Sequence, residues 1–357
     1  MLSFFNSISL KEKVLFYESI ANLLDGWVTL VSALRGFGGR LKAGSRIRES
    51  VENTLFFLEG GDAMNTAMRK IPDFYGEKEI AIVESGEQTG MLKDTFEAIA
   101  REMRMQEELR RKVVGALTYP FIIMLFLMLA LIVVMTYVIP QIMPIIAEMT
   151  TDIPFSTRSL IAVSSFFSEN IILIILILIA IGLLVYGYSN TDMGRRFFDR
   201  EKLYLPVIGT VYRNYMIVQV MSTFHLLASS WVSIVKTLRL TGSSSGNRIV
   251  AGLFFHIADE VSHGKKIHES MRESDERGDI FTPDILQMVE SAEKTSTLHE
   301  VTSKISEQYR REVDASLSVM VKFIEPIALL LAGVFVLWFA IAIFSAIMQV
   351  VAVGGAV

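Results

Sequence analysis

Four glutamates are the residues whose spacing could do chemistry. Glu84 and Glu87 stand three apart, as do Glu290 and Glu293, which puts each pair on one helical face. Carboxylates so placed suit an acid/base pair, a divalent-cation site or an acidic docking patch. The plainer alternative is a solvated helix end that pairs with a nearby Lys or Arg. Nothing else in either pattern completes a catalytic set, which leaves catalysis the weakest reading. The repeated Glu-x-x-Glu step favours a docking or inter-subunit surface at Glu84, Glu87, Glu290 and Glu293. A divalent cation at these pairs is the one cofactor the sequence suggests; otherwise none is expected.

The remaining candidates exclude more than they offer. His225, His256, His263, His268 and His299 lie in no spacing that brings two onto a helix face beside a third ligand, which argues against zinc. His225 falls on the apolar face of its helix, as a core histidine would. Gly242 to Gly246 holds serines but no lysine, so it is not a phosphate loop and nucleotide hydrolysis by this chain is not expected. There is no cysteine, hence no disulfide or thiolate chemistry. A net charge of −4 gives no reason to expect nucleic acid as a partner. Met1 to Leu10 lacks the basic region and apolar core of a cleavable signal.

The elements that must position these glutamates are repeated. Val83-Glu84-Ser85-Gly86-Glu87-Gln88-Thr89-Gly90-Met91-Leu92 returns as Val289-Glu290-Ser291-Ala292-Glu293-Lys294-Thr295-Ser296-Thr297-Leu298. Tyr119-Pro120 returns at the same offset as Glu325-Pro326, and the block around Trp27 echoes that around Trp231. A period this long signals a duplicated domain, not a solenoid of short repeats. Apolar residues make up 52% of the 357 and mean hydropathy is +0.45. Long apolar runs without strand-like alternation favour an all-α protein.

Three of those runs match the ~20 residues that cross ~30 Å of hydrocarbon. They give spans at 113–139, 171–188 and 323–351, with Tyr119 to Ile139 as the embedded part of the first. Pro140 and Pro144 are expected to end it. Pro120 and Pro326 sit at two span entries, where each could kink the incoming helix. Arg110, Arg111 and Lys112, then Arg195, Arg196, Arg200 and Lys202, then Arg310, Arg311 and Lys322 all flank one side. The connector 140–170 holds Arg158 against Glu148, Asp152 and Glu169, and the tail 352–357 is uncharged. Positive residues collect on the cytoplasmic side. The tail 1–9 and the domains 10–112 and 189–322 are thus expected inside, the connector and carboxyl terminus outside. No span carries a charged residue or histidine at its centre, which counts against the alternative of a small transporter.

Each cytoplasmic domain reads as a small helical bundle. In the first, Phe16, Ile20, Leu23, Leu24, Trp27, Leu30, Val31 and Leu34 form one apolar face. Gly36 to Gly44 breaks the pattern, and helices follow with Ile47 to Leu58, with Met64 and Met68, and from Ile80 to Glu87. Leu92, Phe96, Ile99 and Met103 start a helix without a breaker, which should enter the first span directly. In the second domain, Thr241-Gly242-Ser243-Ser244-Ser245-Gly246 reads as a loop.

Gly86-Glu87-Gln88-Thr89-Gly90-Met91-Leu92 with its altered second copy, Val138-Ile139-Pro140-Gln141 followed by Ile153-Pro154-Phe155-Ser156-Thr157, Leu203-Tyr204-Leu205-Pro206-Val207-Ile208-Gly209 and Ile324-Glu325-Pro326 occur in this order. Together they resemble the F family of type II secretion systems, which includes the platform proteins of type IV pilus and competence machines. The likeness runs from about Lys11 to Met348. It departs where the family has Arg-Gln and this chain has Glu18-Ser19, and where Trp27 and Trp231 replace a glycine. The resemblance implies a non-catalytic, homo-oligomeric platform in the bacterial inner membrane. Its expected partners are a cytoplasmic hexameric ATPase, pilin or pseudopilin subunits and other inner-membrane assembly proteins.

Overall fold

A computed structural model describes residues 8–142, 144, 154–205 and 208–354. Glu148, Asp152, Ile153, Pro206 and Val207 lie outside the described residues, as do residues 1–7 and 355–357 of the two tails. Every regular element described is helical. The all-α expectation holds, and three helices are long and apolar enough to cross a membrane.

The first stretch comprises α1 (Leu10–Asp25), α2 (Leu30–Arg40), α3 (Arg46–Glu59), α4 (Met64–Arg69) and α5 (Glu77–Thr89), then the long α6 (Leu92–Val133). After α7 (Phe155–Ser189) and α8 (Asp192–Tyr204) comes a second series: α9 (Ile208–Ser229), α10 (Ile234–Ser244), α11 (Arg248–Ser262), α12 (Ile267–Ser274) and α13 (Pro283–Thr295). The chain ends in α14 (Leu298–Gly354). Two compact units result. One combines the described residues of Met1–Lys112 with Asp199–Ser316, the other Val113–Phe198 with Leu317–Val357.

In the first unit, Phe16, Tyr17, Phe74, Tyr75 and Phe96 are buried in one core, which Leu226, Leu227 and Leu240 of the second series join. Lys13 (3.1 Å) and the Tyr17 hydroxyl (2.9 Å) hold the buried Glu79 carboxylate. Burial, with the Glu79 charge beside it, pushes the Tyr17 phenol well above its usual range. A second core forms around Ile217, Phe224, Phe254 and Phe281.

Glycines expected to break helices lie inside two of them. Gly36, Gly38 and Gly39 belong to α2, and Thr241 to Ser244 to α10. A Cβ on Gly242 would stand 3.0 Å from the Phe254 Cβ and 3.2 Å from the Ala251 carbonyl oxygen, and one on Gly38 would stand 3.4 Å from Val51. These glycines allow close helix crossings, and the turn comes only at Ser245-Gly246 (φ +72° at Gly246). Trp27 corrects the apolar-face reading: it is 96% exposed.

In the second unit each apolar stretch faces outward, only 11%, 0% and 11% of it being buried, which distinguishes these helices from core helices. The first runs through Pro140 to Ile142, where the sequence suggested an end. A π-helical segment, Val134–Val138, accommodates the proline: the Ile139 N–H donates to the Val134 carbonyl. Wider π pairing would match the Met135 carbonyl with residue 140, which as proline has no N–H. Ser164 supplies the missing donor, its hydroxyl reaching the Met135 oxygen at 2.6 Å. Thr157 donates likewise to the Ala342 carbonyl at 2.6 Å. Such side-chain bonds join spans where no hydrophobic force acts between helices. α7 already begins at Phe155 inside the expected connector and departs from helical geometry at Asn170 (φ −113°, ψ 16°), one residue before the expected span start.

Candidate functional site: the acidic pairs and the cleft beside them

The helix α4 has only six residues, and its N-cap is Ala63, which offers no capping side chain. Unsatisfied N–H groups at a helix start need an acceptor. Glu87, from α5, provides it, one oxygen 2.8 Å from the Met64 N–H and the other 3.2 Å from that of Asn65. The second series repeats the arrangement. The N-cap before α12 is Lys266, whose side chain makes no cap bond, and Glu293 receives the N–H groups of Ile267 at 2.8 Å and His268 at 3.3 Å. It also meets the buried His268 Nδ1 at 2.5 Å. Both charges thus complement the positive end of a helix. Ala63 and Lys266 were the legible signal: neither can cap a helix, so the acceptor must come from elsewhere.

The other member of each pair faces outward and finds different partners. Arg69 at 3.1 Å and Lys236 of the second series at 3.0 Å both reach the same Glu84 oxygen. The Lys236 hydrogen bond, foremost, holds the Glu84 carboxyl below its usual range. Glu290 pairs with Lys294 on its own helix at 2.7 Å, which lowers its carboxyl as well. Each glutamate pair therefore divides into a capping member and an outer member. Among the described residues no group of three or more His, Cys, Asp or Glu is placed to hold a metal ion.

Beside α5 lies a cleft of about 500 Å³ lined by Ser85, Asp94, Glu102, His225, Ser229 and Trp231. Glu102 is buried at its base, accepting from the Ser222 hydroxyl and from Gln106 at 2.6 Å. His225, expected in the core, is half-buried at this wall, its Nδ1 2.6 Å from the His299 carbonyl oxygen. Pro120 lies inside α6 and Pro326 inside α14, and both helices run on through them.

The sequence model of the "Type II secretion system (T2SS), protein F" family matches this chain twice, at residues 16–140 and 221–346. The chain belongs to that family. The matched segments hold both glutamate pairs and both prolines. A similar protein is the type IV pilus assembly protein PilC of Thermus thermophilus, 29% identical over 92% of this chain and 79% of its own length. The PilC of Pseudomonas aeruginosa is 24% identical over 94% and 88%. The type II secretion system protein F of the same species is 24% identical over 98% and 85%. This chain is thus a membrane protein of a pilus and secretion assembly family.

Proposed function

We propose that this family member is the non-catalytic inner-membrane platform that couples a hexameric ATPase to pilin or pseudopilin movement into or out of a filament. The observation that carries the reading is continuity. α6 and α14 each begin with a helical face packed in the first unit and run on as one helix into an apolar stretch of membrane length. A partner that pulls on the helical bundle would move helices reaching the lipid. Each series supplies one such helix, in keeping with one bundle duplicated. Pro120 and Pro326 leave the carbonyls of Ala116 and Lys322 without their usual donor, and we place a kink at each membrane entry there. Glu84 and Glu290 supply the acidic part of the docking or inter-subunit surface, while Glu87 and Glu293 fix the helices that shape it. The amino terminus is cytoplasmic and the carboxyl terminus extracytoplasmic.

Reporter fusions test the topology: a reporter active only outside the cytoplasm works after Val357 and fails after Arg111. Co-purification of the full chain with the ATPase and with a second tagged copy tests the role. Flux of a solute through liposomes holding the chain alone would instead support transport.

A further inference from the structure

The corner after the second span is built with unusual closeness. Only two residues, Asn190 and Thr191, separate the end of α7 from the start of α8, so where α7 crosses a bilayer, α8 begins at headgroup level. The Thr191 hydroxyl donates to the Tyr188 carbonyl at 2.7 Å and accepts the Gly194 N–H at 3.1 Å. A Cβ on Gly194 would come within 1.9 Å of that same carbonyl oxygen, so no other residue lets α8 fold so tightly against the end of α7. The Phe198 ring then meets the Tyr188 ring edge-on, centroids 6.1 Å apart.

This corner fixes which face of α8 turns outward. Met193 is 76% and Phe197 52% exposed, one turn apart on one stripe. At 100° per residue, Arg200 and Arg196 lie about 20° and about 60° to one side of Met193, together along one edge of that stripe, and Arg195 lies on the opposite side. All three arginines are exposed, and among the described residues no ion pair holds them, whereas Lys202 on the same helix pairs with Asp199 at 3.5 Å. Asp199 faces inward, accepting the Arg248 N–H at 3.0 Å. An apolar stripe edged by free guanidinium groups at the end of a span is complementary to a bilayer surface that carries negative charge.

We propose that α8 is an interfacial helix that sinks Met193 and Phe197 into the boundary between headgroups and acyl chains and holds the phosphate of an anionic phospholipid between Arg196 and Arg200. Guanidinium groups suit a phosphate because they bond it through paired N–H donors. The inference rests on α7 being a span.

The absence of cysteine makes single labels clean. The full chain, as Met193→Cys or as Leu178→Cys, is labelled with an environment-sensitive dye in nanodiscs of phosphatidylcholine, with or without phosphatidylglycerol. The dye at 193 is expected to be quenched by a nitroxide near the headgroup and shielded from aqueous iodide; at 178 only a mid-chain nitroxide should quench it. Phosphatidylglycerol is expected to raise the melting temperature by about 4 °C, on the scale of two arginines near a charged surface. Arg196→Gln with Arg200→Gln should lose at least half of that rise, and Arg195→Gln should keep it. Iodide quenching at 193 with protection at 178 overturns the interfacial helix alone. Iodide quenching at 178 removes the span and the proposal with it. An equal rise in the double variant and the parent overturns the headgroup clamp.

Discussion

Glu87 and Glu293 do one job, and Glu84 and Glu290 do two. The capping members each take two backbone N–H groups of a short helix that lacks a cap of its own. The outer members have diverged: Glu84 ties Arg69 to Lys236 across the two helical series, whereas Glu290 is satisfied within its own helix. A carboxylate committed to buried donors cannot be replaced without leaving them unpaired. One held by exposed cations can change partners at small cost. The same Glu-x-x-Glu spacing therefore joins a fixed structural strut to an adjustable surface charge.

The sharpest way to break this contrast is to remove each member singly. Glu293→Ala and Glu87→Ala should each cost about 2–3 kcal/mol of stability, since two amides lose a charged acceptor. Glu293→Ala should be the worse, because His268 Nδ1 is stranded as well. Glu84→Ala should stay below about 1 kcal/mol, and Glu290→Ala should leave the melt almost unchanged. Denaturant melts of the full chain in detergent check all four, and equal losses for capping and outer members would erase the distinction.

A second comparison concerns backbone strain, next in size. Trp27 and Trp231 hold matching left-handed conformations, φ 60° and 59°, while 96% and 84% exposed. For a residue with a Cβ this conformation costs about 1–2 kcal/mol. Trp27→Gly and Trp231→Gly should each stabilise the fold by roughly 1 kcal/mol, read as a higher melting midpoint. At the end of α5 the left-handed residue is Gly90 (φ 73°), but at the end of α13 it is Ser296 (φ 57°). Ser296→Gly should therefore stabilise by about 0.5–1 kcal/mol and Gly90→Ser destabilise by a similar amount. Paired melts of these variants read the asymmetry directly.

The smallest effect is electrostatic. The folded-state carboxyl of Glu84 is lowered from an ordinary value of 4.5. Its contribution is therefore full above that value and is lost as pH falls through the lowered one. Lys236→Gln should remove most of this acid sensitivity while leaving stability at neutral pH within about 1 kcal/mol. A pH series of melts for parent and variant decides it.

Much of the helical plan was legible because its signals are local. The 3.6-residue pattern of Phe96, Ile99 and Met103 marks the buried face of α6, and Gly60 and Gly90 end helices where they stand. Long-range packing was not legible. Nothing near Gly242 in sequence says that Phe254 will press against it, so a helix end was read as a loop. Met135 likewise gives no local sign that Ser164 will take its carbonyl and let the helix pass Pro140. At the glutamate pairs, spacing identified the residues but could not tell the capping member from the outer one. That difference depends on where α4 and α12 begin.

In the proposed mechanism an assembly ATPase grips the helical unit formed by Met1–Lys112 and Asp199–Ser316. The direct measurement is binding of the purified hexameric ATPase to the full chain in nanodiscs, comparing the parent with Glu84→Ala combined with Glu290→Ala. Saturable binding to the parent is expected, with at least tenfold weaker binding to a variant whose melting temperature falls by no more than about 4 °C. No binding to the parent, under conditions in which the same components build filaments, would contradict it.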